Sequence, residues 1–257
     1  MESKSMPVIF AGHGSPMNAI EDNGFSLAWE TLGHKLPKPE AILCISAHWE
    51  TGGSQITAME KPRTIHDFGG FPRELFEMQY PAPGSSELAD SVIKTIKSPE
   101  IKPDQQWGLD HGTWSVLCRM YPKADIPVIQ FSLDRTRNGE YHYDLGAQLK
   151  FLRKQGVLII GSGNIVHNLR IMNWNGTAFD WASEFDEKAK NWILDEKHEP
   201  LIHFENQGPS AALAINSGEH YLPLLYVLGA QEKGEPVEFF TESIFAGSLS
   251  MRGLVIG

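Results

Sequence analysis

The segment Ala41-Ile-Leu-Cys-Ile-Ser-Ala-His-Trp49 begins as an apolar run and reaches a histidine at its end. Near-continuous apolar runs of this kind are typical of strands that are buried on both faces of a parallel or mixed sheet. We therefore predict a strand over Ala41–Ala47, with His48 directly after it. Because ligands in such folds bind beyond the carboxyl ends of the strands, the residues that follow each strand are the first candidates for a functional site.

The same pattern recurs along the chain and predicts an α/β fold, because strand-like apolar runs alternate with segments of helical spacing. Further strands are predicted over Pro7–Ala11, Gln55–Met59, Ile126–Ser132, Val157–Ile160, Val237–Phe240 and Ser248–Ile256. Helices are predicted over Phe25–Leu36, Ser85–Ile96, Tyr141–Gln155, Asp180–Glu196 and His220–Leu228. Since no long linker divides the chain, we predict one catalytic domain over residues 1–257, with a central mixed sheet and helices on both faces.

Composition and charge exclude several classes of partner. The net charge of −10 comes from 22 basic and 32 acidic residues. Such a surface repels phosphate backbones and anionic lipid, so we expect neither a nucleic acid nor a membrane partner. The two cysteines form no Cys-x-x-Cys pair, which excludes a disulfide framework and a thiolate zinc site and favours a cytoplasmic location. No segment resembles a coiled coil, so we expect a monomer.

Five of the ten histidines occupy one kind of position in the predicted fold. His13, His48 and His167 follow strands, and His111 and His220 lie at the starts of helices. Any one of them alone could be a loop residue that bonds a backbone carbonyl, but in a sheet with both faces covered all five can meet in one crevice. Because imidazole is a common ligand of transition metals, the five together predict a shared metal site.

Three further residues near these positions are candidates for binding a substrate, and each has a plainer alternative. Ser15 could be a nucleophile or could cap the following segment. His66 lies in a glycine-rich loop that is either a pocket lid or an ordinary turn. Trp49 could stack on an aromatic substrate or belong to the core. The loop Gly161-x-Gly163 holds valine where a dinucleotide-binding loop has its third glycine, so we expect no dinucleotide there.

Seven motifs follow one another along the chain. They are Gly12-His-Gly-Ser-Pro-Met17, Ser46-Ala-His-Trp49, Ile65-His-Asp-Phe-Gly-Gly-Phe-Pro72, Tyr80-Pro-Ala-Pro-Gly84, Gly108-Leu-Asp-His-Gly-Thr-Trp114, Gly163-Asn-Ile-Val-His-Asn168 and Glu219-His-Tyr-Leu-Pro-Leu224. In this order they resemble the motifs of the class III extradiol ring-cleavage dioxygenases, and in particular of their DOPA 4,5-dioxygenase branch. The resemblance runs from about residue 6 to residue 257.

The resemblance implies one mononuclear divalent metal, Zn²⁺ or Fe²⁺, at the carboxyl ends of the strands. His13 and His48 match two of the family's metal ligands. His220 stands where wider relatives use a glutamate, with Glu219 beside it. His167 matches the catalytic histidine and could also be a fourth ligand, while His111 matches a histidine that contacts substrate or oxygen.

The implied reaction takes a small aromatic diol and O₂ and opens the ring beside the diol to give a muconic semialdehyde. Two alternatives stay open. One is a zinc hydrolase that uses a metal-bound water, with Asp110 or Glu219 as its base. The other is a non-catalytic protein that binds a metal or a catechol.

Overall fold

A computed structural model describes residues 5–257, so residues 1–4 of the predicted domain lie outside it. The strands are β1 (Val8–Gly12), β2 (Ala41–Thr51), β3 (Ser54–Thr57), β4 (Ile101–Asp104), β5 (Val128–Asp134), β6 (Val157–Gly163), β7 (Val237–Phe240), β8 (Ile244–Phe245), β9 (Leu249–Ser250) and β10 (Gly253–Ile256). The helices are α1 (Gly24–Lys35), α2 (Arg73–Glu77), α3 (Ser86–Thr95), α4 (His111–Met120), α5 (Gly139–Leu149), α6 (Asp180–Leu194), α7 (Glu199–Ile202), α8 (Pro209–Ala214) and α9 (Leu222–Gly229).

Eight strands form one mixed sheet in the order β4-β3-β5-β2-β6-β1-β10-β7. Its centre is parallel, since β2 pairs in parallel with both β5 and β6, and β6 pairs in parallel with β1. Antiparallel pairs lie to either side, between β3 and β5 and between β1 and β10. The predicted α/β fold with a central mixed sheet is therefore confirmed.

Alternate residues of the central strands feed two separate hydrophobic cores, one on each face. Leu43 and Ile45 of β2 belong to a core that also contains residues of α5, α6 and α9. Ile42 and Cys44 belong to the other core, which is shared with α1 and α4. Because both faces are covered, the strands read as continuous apolar runs in the sequence. Among residues 5–257, no helix combines the length and the apolar character that crossing a bilayer requires.

The predicted position of His48 after its strand is wrong, because β2 continues to Thr51 and His48 lies within it. The pairing of β2 with β5 shifts register between Ile45 and Glu50, so the strand is irregular where His48 occurs. Buried Trp49 between the more exposed His48 and Glu50 follows the alternation of a half-buried strand. The side chain of His48 lies beside those of His13 and His111 at this irregular part of the strand.

Other boundaries also differ from the predictions. Helix α9 begins at Leu222, two residues after His220, and the predicted strand Ser248–Ile256 is divided into β9 and β10. The predicted helix Tyr141–Gln155 begins at Gly139 and becomes a 3-10 helix over Lys150–Gln155, before Gly156 ends it with a φ of 77°. The predicted strand Val237–Phe240 is confirmed with the same bounds.

Candidate metal and catalytic site

The five singled-out histidines lie side by side at one edge of the sheet. The ring centroid of His13 is 5.0 Å from that of His48, 5.3 Å from that of His220 and 5.7 Å from that of His111. The His167 ring lies 3.5 Å from the ring of His220. Residues that are up to 207 positions apart in the sequence therefore share one crevice, because β1, β2 and β6 are neighbours and the segments before α4 and α9 reach the same edge.

His13 directly follows β1, and its hydrogen bonds determine which ring nitrogen faces the crevice. The hydroxyl of Ser162 donates to the carbonyl oxygen of Gly112 (2.5 Å), so it can accept a hydrogen bond from Nδ1 of His13, 3.0 Å away. The proton of a neutral His13 therefore lies on Nδ1. The Nε2 atom is left with a free lone pair.

His48 has the same arrangement with a different partner. Its Nδ1 lies 3.3 Å from a carboxylate oxygen of Asp67, and a carboxylate can only accept. Its Nε2 faces Nε2 of His13 at 3.1 Å. Two unprotonated nitrogens at that separation repel each other unless a cation lies near both. The separation suits adjacent ligands of a metal with bonds of about 2.0–2.1 Å.

His220 completes a set of three histidines. Its Nδ1 lies 3.1 Å from a carboxylate oxygen of Glu219, which again leaves Nε2 unprotonated. One ligand atom each from His13, His48 and His220 lies within 4.8 Å of the other two. Each imidazole is oriented through its other nitrogen, as is usual for histidines that bind metals. The residues present therefore fit a single transition-metal ion.

The electrostatics of the crevice keep these imidazoles neutral. Burial, reinforced by repulsion from the neighbouring histidines, holds the pKa of His13 and of His220 well below the ordinary value. Burial lowers the pKa of His48 to about 3 and that of His167 to about 4. At neutral pH all four are thus in the form that binds a metal or accepts a proton.

His167 is stacked on His220 in a way that bears on its role. The two rings are nearly parallel, with an angle of 5° between their planes and 3.5 Å between their centroids. An imidazole binds a metal in the plane of its ring. Stacked rings hold their nitrogen lone pairs in separate parallel planes. One ligand atom each from His167, Glu219 and His220 nevertheless lies within 4.8 Å of the other two, so both roles of His167, as a base and as a fourth ligand, stay predictions.

His111 begins α4 and lies against the ring of His48, with 3.9 Å between their centroids. The residue before it, Asp110, is wholly buried and accepts hydrogen bonds from Ser46 (2.6 Å), from Gln130 (2.7 Å) and from the backbone of Thr113 (3.2 Å). Both Asp110 oxygens are therefore engaged in holding the start of α4. Burial raises the pKa of Asp110.

The three predicted substrate-binding residues lie near the crevice but make other contacts. The hydroxyl of Ser15 accepts from the backbone of Met17 (3.3 Å) and caps a 3-10 helix. His66 donates from Nε2 to the carbonyl oxygen of Met78 (2.9 Å). Trp49 is buried and stacked on Trp107. Their role in binding substrate stays a prediction, and these contacts give each of them a structural role.

Sequence reasoning missed two residues of the site, Asp67 and Ser162. Asp67 lies in the glycine-rich loop that drew attention to His66, and its carboxylate reaches both His48 and His111. Burial acts to raise the pKa of Asp67, but its contacts with His111 and His48 outweigh burial and hold the pKa below the ordinary value. Ser162 is an inward-facing residue near the end of β6, with no local pattern that distinguishes it.

Two glycines allow the backbone approaches on which the site depends. A Cβ atom at Gly163 would lie 2.1 Å from the carbonyl oxygen of His220, so β6 and the segment that carries His220 could not pack as they do. A Cβ atom at Gly112, in the first turn of α4, would lie 2.5 Å from the Ser46 hydroxyl and 2.9 Å from Cδ2 of His48.

We predict that Gly112→Ala weakens metal binding by about tenfold or more, because the added methyl group must displace His48 from its orientation. Zn²⁺ affinity measured by competition with a chromophoric chelator tests this. Gly24→Ala is the matched control, since Gly24 is also helical and has nothing within 4 Å of its added Cβ atom. Equal Zn²⁺ affinity of the two variants would contradict the prediction.

Comparisons with known proteins agree with this geometry. The family described as the catalytic LigB subunit of aromatic ring-opening dioxygenase matches residues 8–250. A protein of Escherichia coli (strain K12) named "4,5-DOPA dioxygenase extradiol" is 46% identical over 264 residues, covering 100% of this chain and 97% of that protein. A Beta vulgaris protein of the same name is 37% identical over 261 residues and covers 97% of this chain and 96% of that protein.

The fold has a close counterpart among solved structures. The crystal structure of an uncharacterized protein from Escherichia coli K12 superimposes with a TM-score of 0.86 at 42% identity. The match covers 98% of this chain and 100% of that chain. Since both the family match and the full-length relatives span nearly all of the sequence, the chain belongs to the LigB family of aromatic ring-opening dioxygenases.

Proposed function

We propose that this chain is a metal-dependent extradiol dioxygenase that cleaves a DOPA-like catechol with O₂ to a muconic semialdehyde. Membership of the family makes it an aromatic ring-opening dioxygenase. The DOPA-like substrate rests on the names of the relatives from Escherichia coli and Beta vulgaris. The observation that carries the metal is the convergence of three neutral imidazoles, those of His13, His48 and His220, on one point.

Dioxygenases of this family depend on a metal ion. We propose Fe²⁺ for the active enzyme, because Zn²⁺ has no redox chemistry, although the same three imidazoles suit both ions. When bound, the ion would lower the pKa of the catechol hydroxyls and hold the diol close to O₂. The proposed reaction requires no organic cofactor, because O₂ itself is the oxidant.

His167 acts in this proposal as the general base. Its burial lowers its pKa to about 4, so at pH 7 the ring is neutral and can accept a proton from a catechol hydroxyl. His111, whose ring lies against that of His48, would act on the reacting oxygen. Its Nδ1 faces Asp67 at 3.0 Å, and Nε2 can donate a hydrogen bond or a proton to the reacting oxygen when the ring carries a proton on both nitrogens, a cation whose charge the Asp67 carboxylate would balance. Both atoms of O₂ enter the product when the ring bond beside the diol breaks.

The hydrolase alternative would need a carboxylate that is free to take a proton from water. Both oxygens of Asp110 already accept hydrogen bonds within the protein. Glu219 accepts from Ser217 (2.9 Å) and contacts His220, which it orients. These contacts and the family match favour ring cleavage over hydrolysis. The family match also favours an enzyme over a protein that only binds a metal or a catechol.

An oxygen-uptake assay tests the proposed function. Metal-free protein is loaded with Fe²⁺ under anaerobic conditions, and DOPA and then air are added. We expect one O₂ consumed per DOPA and a yellow product. A 1,4-diol such as hydroquinone is the control substrate, since its hydroxyls are not adjacent and it should give no uptake. Absence of O₂ uptake with every catechol tested would contradict the proposal.

A further inference from the structure

We propose that Asp67 is a positioning residue whose single carboxylate orients both His48 and His111. The inference rests on the proposed roles of these two histidines, one as a metal ligand and the other as a group that meets the reacting oxygen. The inference links the two roles physically through Asp67, because a displacement of Asp67 would disturb both metal binding by His48 and turnover through His111.

The contacts of Asp67 carry this inference. One oxygen, Oδ2, lies 3.0 Å from Nδ1 of His111 and 3.3 Å from Nδ1 of His48. The other oxygen, Oδ1, accepts from the backbone nitrogen of His111 at 2.9 Å. A single side chain therefore contacts both rings and also holds the first backbone amide of α4, where a negative charge is favourable.

Hydrogen bonds and packing on both sides of Asp67 hold its loop in place, so the carboxylate has a defined position. The indole of Trp114 donates to the carbonyl oxygen of Ile65 (2.8 Å), two residues before Asp67. His66 donates to the carbonyl oxygen of Met78, and Phe68 packs its ring edge-on against the ring of His111. In this arrangement His66 contributes to the site by holding the loop.

The chemistry of a carboxylate explains why an aspartate is needed. It is negatively charged and only accepts hydrogen bonds, so at these distances it favours a proton on Nδ1 of each ring and leaves each Nε2 atom without a contact to Asp67. An asparagine has the same shape, but only one of its two terminal atoms accepts. If its oxygen faced the two rings, its amide group would meet the donating backbone nitrogen of His111.

Asp67→Asn therefore tests the inference. We expect about a tenfold loss of Zn²⁺ affinity, measured with a competing chelator, and at least about a tenfold loss of kcat with DOPA at saturating Fe²⁺. Glu77→Gln, which neutralises an exposed carboxylate just after the same loop, should change neither. Ser162→Ala removes the hydrogen bonds to His13 and to the Gly112 carbonyl but leaves both ring contacts of Asp67, so its kcat at saturating Fe²⁺ should fall less than that of Asp67→Asn.

A double-mutant cycle separates positioning from a general loss of structure. If Asp67 acts on turnover through His111, adding Asp67→Asn to His111→Ala should lower kcat by much less than it does in the wild type. Additive losses of kcat would overturn the inference, as would a wild-type Zn²⁺ affinity of Asp67→Asn. The inference would also be overturned if the wild type bound two ions and Asp67→Asn only one. Asp67 would then be a ligand of a second ion together with His48 and His111, whose ligand atoms lie within 4.8 Å of its carboxylate.

Failure of the inference and failure of the proposed function give different results. The Zn²⁺ affinity of Asp67→Asn needs no turnover, so it reports on the orientation of His48 even if no catechol is cleaved. Circular dichroism and the thermal midpoint show whether the variant folds. If Asp67→Asn did not fold, Asp67→Ser, which is smaller and retains one acceptor, would take its place and should show the same paired losses.

Discussion

His13→Ala should abolish ring cleavage and weaken metal binding by at least about 100-fold. His13 is almost fully buried, and its Nε2 faces that of His48 at 3.1 Å. Binding energies of metal sites in proteins are of order 10–16 kcal/mol for four ligands, so the loss of one ligand removes several kcal/mol. A methyl group supplies no donor in its place. Chelator competition with Zn²⁺ and O₂ uptake with Fe²⁺ measure the two effects.

The control for this prediction is another buried histidine. His142 is fully buried in α5 and bonds the hydroxyl of Tyr226 at 3.1 Å, outside the cluster at the sheet edge. His142→Ala removes an imidazole of equal burial, so it should destabilise the protein to a similar degree without changing Zn²⁺ affinity. If His13→Ala bound Zn²⁺ as tightly as His142→Ala does, the assignment of His13 as a ligand would be wrong.

The central part of the fold could be predicted from the sequence because its physical cause is local. The apolar runs of β1, β2, β5 and β6 reflect burial on both faces, which leaves the same signature wherever it occurs. Edge strands show this apolar signature less strongly. Strand β4 has the sequence Ile-Lys-Pro-Asp, with one apolar residue and a proline, and only its pairing with β3 makes it a strand.

The clustering of the histidines could also be predicted, because parallel strands bring their carboxyl ends to one edge and His13, His48 and His167 are expected there, while His111 and His220 precede or begin helices that can return to the same edge. The hydrogen-bond partners of these histidines could not be predicted from the sequence. Ser162 is 149 residues from His13, and Asp67 is 44 residues from His111. Such partners are selected by the closure of loops in three dimensions, and neither serine nor aspartate carries a pattern in the sequence that would indicate it.

His167→Ala should lower kcat by about 10²–10⁴-fold while leaving metal affinity close to that of the wild type. The factor is that expected for the loss of a general base. Metal affinity should persist if His13, His48 and His220 hold the ion, because the stacked His167 and His220 rings keep their nitrogen lone pairs in separate parallel planes. Turnover at saturating Fe²⁺ and the Zn²⁺ dissociation constant, measured on one preparation, give the two numbers.

His220→Ala provides the contrast, because His220 is the other half of the stacked pair. The two rings are stacked on each other and burial lowers the pKa of both, so a general effect of emptying this part of the crevice would be similar in both variants. If the roles differ as proposed, His220→Ala loses Zn²⁺ affinity and activity together, whereas His167→Ala loses activity alone. Equal losses of Zn²⁺ affinity in the two variants would make His167 a fourth ligand, and the proton acceptor would then have to be sought at His111.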